Sequence, residues 1–128
     1  MGDILAETLV QMKNAEKIGR SECVVHKVSN LLREVLAVMK KEGYIGEYEL
    51  IDDGRGGILK IQLLGKINDA GAIKPRFSVK QGEYEKFEKR YLPAKDFGLL
   101  ILSTTKGVIT HHHAKKAGIG GQLLAYIY

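Results

Sequence analysis

The chain of 128 residues has one cysteine, two prolines and no tryptophan. A lone thiol, Cys23, excludes an internal disulfide and fits a reducing compartment. It lies in an apolar run and reads as a small core residue. No run approaches the roughly 18 apolar residues of a membrane span. No basic leader precedes an apolar stretch at the N-terminus, so no secretion signal is expected and the expected location is the cytoplasm. Acidic side chains are missing after Asp96. The run His111-His112-His113 therefore has no acidic or thiol ligand nearby. Consecutive helical residues also point about 100° apart, so three neighbours cannot converge on one metal. The run reads as a solvated first helical turn that gains charge as pH falls toward the imidazole pKa.

What is present is unevenly charged. Residues 1–66 hold ten Lys or Arg and ten Asp or Glu. Residues 67–128 hold ten against five and carry the whole +5. That asymmetry favours a polyanionic partner for the C-terminal half.

The length allows one domain, or two small lobes sharing a core. Residues 3–17 read as an amphipathic helix, with Asp3 as cap and Leu5, Leu9 and Met12 as its stripe. Cys23 to Val28 reads as a strand. A second helix over about 30–42 starts at Ser29 and stops before Gly43. Tyr44 to Ile51 and the alternating Leu59, Ile61 and Leu63 read as two strands of a hairpin. This gives an N-terminal α-β-α-β-β lobe over residues 1–66. Residues 65–76 read as a polar linker. The lobe over 67–128 is expected to be mostly β with short helices. It has a short strand at Phe77–Lys80 and a helix at Glu83–Arg90 stopped by Pro93. A buried strand at Gly98–Leu102 follows, then a helix capped by Thr110 and a last strand. In that last strand Gln122, Leu124, Tyr126 and Tyr128 should share one face. The fold class is α+β.

The chemistry concentrates in Ser103-Thr104-Thr105-Lys106-Gly107, where the buried strand leaves the core. Each hydroxyl is a rotatable donor with two acceptor sites, suited to base edges, ribose 2′-OH and phosphate. Lys106 adds a point charge for phosphate. Gly107 admits close backbone approach or positive φ. One neutral hydrogen bond contributes about 0.5–1.5 kcal/mol net, so several must cooperate. Those oxygens must then face outward; satisfied inward by main chain, they would read nothing. The same residues also fit a plain polar turn joining a strand to a helix. They match S-x-x-K as well, the nucleophile motif of penicillin-binding enzymes. That motif sits on a helix, and no S-D-N or K-T-G accompanies it here. A small enzyme or metal module, and a protein-interaction subunit that never touches RNA, are the rival readings.

The segment Ser103–His111 resembles the signature loop and helix start of the small-subunit ribosomal protein number eight family. Gly120-Gly121-Gln122-Leu123-Leu124-Ala125-Tyr126 resembles that family's closing segment, and Asp3–Ala6 with Asn14-Ala15 its first helix. Gly43–Gly46 and Lys89–Gly98 resemble its archaeal and eukaryotic cytosolic branch. The resemblance implies a two-lobed, non-enzymatic protein without a cofactor. It would bind the central domain of small-subunit rRNA early in assembly, beside neighbouring small-subunit ribosomal proteins and with no membrane partner. Carried over by position, it implies base and sugar contacts from Ser103, Thr104 and Thr105. Close approach would occur at Gly107 and Gly121. Asp3, Lys13, Asn14 and Lys27 would touch or position the RNA backbone. Thr105 stands where many members have Ser, and His112 and His113 where acids or Arg are common.

Overall fold

The computed structural model describes residues 4–26, 28–52, 54, 57–94 and 97–128. It divides into two compact units, Met1–Ala70 and Gly71–Tyr128.

In the first unit, α1 (Ile4–Lys17) buries Leu5, Leu9 and Met12, the expected stripe. Asp3, read as its cap, lies outside the described residues. In α2 (Asn30–Lys41), the Ser29 hydroxyl accepts the Leu32 N–H at 3.1 Å, satisfying one orphan donor of the first turn. At the other end Gly43 takes φ +82°. The N–H groups of Gly43 and Tyr44 return to Lys40 and Met39. This is a Schellman closure, which needs a left-handed residue at that point. Three antiparallel strands, β1 (Glu22–Val25), β2 (Ile45–Ile51) and β3 (Ile58–Leu63), run in the order β1-β3-β2. Alternation along β3 buries Leu59, Ile61 and Leu63 and exposes Lys60 and Gln62. β1 ends at Val25, three residues earlier than the sequence suggests.

The stretch 65–76 corrects the reading as a polar linker. Glu16 on α1 accepts the N–H groups of Gly65 (3.2 Å) and Ile67 (3.0 Å). Lys13 pairs with Asp69 at 3.1 Å. Ile67, Ala70 and Ile73 are buried. A strand, β4 (Ala70–Ala72), forms inside the stretch. The glycines and charges hid three well-spaced apolar residues.

In the second unit the sheet runs β4-β8-β6-β7, formed with β6 (Leu99–Thr104), β7 (Gly107–Thr110) and β8 (Gly121–Ile127). The two-residue β5 (Ser78–Val79) pairs with the start of β8. α3 (Tyr84–Tyr91) packs Tyr84 and Phe87 against Leu100, Leu102 and Leu123. The seven-residue α4 (His111–Ala117) is capped by Thr110 and ends at Gly118, φ +70°.

Two sequence expectations fail in this unit. The sequence reading has no strand between the hydroxyl stretch and the helix capped by Thr110, yet Val108-Ile109 is the middle of β7. The hydroxyl stretch is therefore a β-hairpin, not a strand-to-helix loop. β8 also breaks the expected alternation. Leu102 pairs with Leu123 and Ile101 with Ala125, leaving Leu124 as the extra residue of a bulge. The freed Leu124 carbonyl accepts the Ile73 N–H at 2.9 Å. Leu123, Leu124 and Ala125 are consequently all buried.

Candidate RNA interface

β6 is buried from Leu99 to Leu102 and emerges at Ser103 and Thr104. Thr105 and Lys106 make the turn, and Thr104 pairs with Gly107. Gly107 takes φ +98°, and a Cβ placed on it would meet nothing within 4 Å. The glycine is required by backbone conformation and leaves open space beside the turn. Thr105, Lys106 and Gly107 are all exposed.

The three hydroxyls are not one cluster. Successive strand residues point to opposite faces, so Ser103 and Thr104 diverge. Thr104 follows Leu100 and Leu102 on the face covered by α3. Its hydroxyl donates to the Gly107 carbonyl at 2.9 Å and accepts the Lys106 N–H at 3.1 Å. It clamps the turn and keeps only one acceptor site spare. Ser103 lies opposite Val108 and Gln122 in the sheet. Among the described residues no hydrogen bond engages the Ser103 or Thr105 hydroxyl, and no carboxylate pairs with Lys106.

Gly121 has a second, internal reason to be glycine. A Cβ there would strike the Ser103 carbonyl oxygen and the Thr104 methyl; at Gly120 it would strike the Val79 carbonyl. The pair threads β8 between β5 and the hairpin. Gln122, exposed and directly across from Ser103, was missed from sequence. Cross-strand partners share a face, so its amide extends the polar patch begun by Ser103. Its place beside Gly121 was the available signal.

The histidine run also departs from expectation. His111 is buried, not solvated. Its Nδ1 accepts the Leu100 N–H at 3.0 Å, which puts the ring proton on Nε2, 3.1 Å from Glu88 Oε1. Lys115 reaches the same Glu88 oxygen. Burial, reinforced by neighbouring His112, lowers the His111 pKa to about 4. Thr110 accepts the His113 N–H at 3.2 Å, and its hydroxyl lies 3.1 Å from His113 Nδ1. Among the described residues no cluster of three or more His, Cys, Asp or Glu could hold a metal. No helix there is long and apolar enough to cross a membrane.

The second unit thus brings together Ser103, Thr104, Thr105, Lys106, Gly107 and Gly121. Lys13 and Asn14 belong to α1 of the first unit. Lys13 is engaged with Asp69, while Asn14 lines a groove with Gln11, Ile18, Arg20 and Val24. Asp3 and Lys27 lie outside the described residues. A family model described as ribosomal protein S8 matches residues 3–128.

Proposed function

The chain belongs to the ribosomal protein S8 family, and from that premise we propose that it docks on small-subunit rRNA through the β6–β7 hairpin. The family is structural: its members are rRNA-binding parts of the small ribosomal subunit, not enzymes. The finer reading is that the target is the central domain of that rRNA and that binding supports assembly. The Gly43–Gly46 and Lys89–Gly98 segments favour the archaeal and eukaryotic cytosolic branch.

The observation that carries the reading is the hairpin tip. Among the described residues the Ser103 and Thr105 hydroxyls have no hydrogen-bond partner and the Lys106 ammonium has no carboxylate, at the end of a hairpin whose turn Thr104 stiffens. Stiff placement lowers the entropic cost of making several weak polar contacts at once. Ser103 and Thr105 contact bases and sugars at an irregular helix. Thr104 positions them and offers its remaining lone pair. Lys106 meets phosphate, and Gly107 lets the RNA backbone approach. Gly121 holds β8 under the hairpin. Lys13, Asn14, Asp3 and Lys27 form a second, weaker backbone contact from the N-terminal lobe (1–66), while the lobe over 67–128 carries the main one. Phosphate contacts set affinity and register; the hydroxyls discriminate.

Crosslinking on intact small subunits, mapped to residues and nucleotides, tests this. Adducts from Ser103–Gly107 to the central domain are expected. Adducts to another rRNA domain, or to protein alone, would contradict it.

A further inference from the structure

The three-stranded sheet of the first unit ends in an edge that the proposed RNA contact does not use. In the order β1-β3-β2, the seven-residue β2 has β3 on one side, and among the described residues no strand pairs with the other. Two bonds fix the direction of its backbone groups. The Glu47 N–H points toward β3, where Gln62 Oε1 accepts it at 3.1 Å. The Leu63 N–H of β3 points away from β2, to the Ser21 carbonyl at 2.9 Å. Successive strand residues alternate, so Lys60 turns its N–H toward β2, where it faces Glu49. Tyr48 and Leu50 therefore direct both N–H and C=O off the edge.

The side chains alternate likewise. Tyr48 and Leu50 lie across from the buried Ile61 and Leu59, and Leu50 is still 46 % exposed. Glu47 and Glu49 lie on the opposite face, both exposed. A Cβ on Gly46 would strike the Gln62 side chain, and the register shifts between Ile45 and Tyr48. The usable edge therefore starts at Tyr48. Lys40 of α2 pairs with Glu47 at 2.8 Å, its ammonium 6.0 Å from the centre of the Tyr48 ring. Among the described residues no cation pairs with Glu49. Residues 42–53 hold five acidic and no basic side chains, in a chain of net charge +5.

We propose that β2 is a docking edge that takes an extended basic segment of a partner protein as a fourth strand, independently of the hairpin contact. Cations of the segment meet Glu49, and its apolar residues lie beside Tyr48 and Leu50. An open edge offers a peptide backbone the bonds it needs, and alternate side chains supply the selectivity. Charge selects the occupant. A second copy paired edge to edge would bring two acidic strands together, and RNA phosphate would be repelled as well. A segment that alternates lysine or arginine with apolar residues matches both faces of the edge.

The test uses the full chain and short dye-labelled synthetic peptides, followed by fluorescence anisotropy. A peptide alternating lysine and valine is expected to bind, and one alternating glutamate and valine is not. Valines across from Tyr48 and Leu50 turn their N–H groups toward β2, whereas the lysines turn theirs to solvent. N-methylation of the valines should therefore lower affinity about ten-fold or more, and N-methylation of the lysines should leave it within about two-fold. Glu49→Gln should weaken the lysine peptide about two-fold to five-fold, with an unfolding midpoint equal to the parent's. Hydrogen exchange at the Tyr48 and Leu50 amides should slow when the peptide is bound.

A Ser103→Ala/Thr105→Ala variant should bind the peptide like the parent, which separates this edge from the hairpin. Undiminished binding of the valine-methylated peptide, or unslowed exchange at both amides, would leave charge attraction alone and overturn the docking edge. Failure of the lysine peptide to bind would overturn it too, as would parental affinity in Glu49→Gln. Slowed exchange at the same amides on self-association of the chain, or on adding a short oligouridylate, would also overturn it, since the occupant would then be a second copy or RNA.

Discussion

The two units solve the same packing problem with opposite electrostatics. Residues 1–70 hold ten basic and eleven acidic side chains; residues 71–128 hold ten and four. The first unit packs two helices and a three-stranded sheet, with surface charges that pair locally, as in Lys13–Asp69 and Lys40–Glu47. The second holds an excess of basic side chains and, among the described residues, sets the unengaged Ser103 and Thr105 hydroxyls at the end of one hairpin. The contrast separates affinity from discrimination. Positive charge spread over a unit attracts any polyanion, while a few stiff neutral donors can favour one RNA surface.

The largest expected effect breaks the packing side of the comparison. Leu36 is fully buried in α2 of the first unit. Leu36→Ala should cost about 2–5 kcal/mol in stability, measured by urea unfolding. A loss well under 1 kcal/mol would mean that the α2 face is not the core of that unit.

Next comes the second unit's acid sensitivity. His111 is neutral when folded, with its pKa held at about 4, against 6.5 ordinarily. The unfolded chain therefore binds the proton first as pH falls below 6.5. Stability from this group is full above that value. It drops by about 1.4 kcal/mol per pH unit down to about pH 4, on the order of 3 kcal/mol in all. Unfolding followed from pH 7 to 4 should show this slope in the parent and lose it in His111→Gln. An unchanged slope in the variant would remove His111 as its source.

The smaller effects sharpen the comparison. Lys106→Ala should reduce the salt slope of rRNA binding by roughly 0.7–0.9. An unchanged slope would take Lys106 off the phosphate. In the first unit the Thr8 hydroxyl is buried and, among the described residues, has no hydrogen-bond partner. Thr8→Val should be neutral or stabilise by up to about 1 kcal/mol, read as a raised unfolding midpoint. Clear destabilisation would reveal a partner for that oxygen.

Much of the first unit was legible because its signals are local. The Leu5–Leu9–Met12 stripe, the Ser29 cap, the Gly43 stop and the Leu59–Ile61–Leu63 alternation each specify an element within a few residues. The second unit depends on non-local pairing. β7 is two apolar residues between a glycine and a threonine, and becomes a strand only because β6 lies beside it. The bulge at Leu124 arises from register with β6, which no pattern within β8 records. His111 looked solvated because its partners, Glu88 and the Leu100 N–H, are far away in sequence. The hairpin residues themselves were readable as candidates, as were the cap at Thr110 and the stop at Gly118. Their division was not: strand alternation sends Ser103 and Thr104 to opposite faces, and the turn consumes the Thr104 hydroxyl.

The most direct test of the hydroxyl hairpin is the affinity of a Ser103→Ala/Thr105→Ala variant for small-subunit rRNA and for a homopolymer, each titrated across salt concentrations. The expected result is a loss of about two-fold to ten-fold per hydroxyl for the rRNA. The homopolymer affinity and both salt slopes should stay unchanged. Equal losses on both RNAs, or parental affinity for the rRNA, would contradict the claim that uncharged groups on this turn do the discriminating.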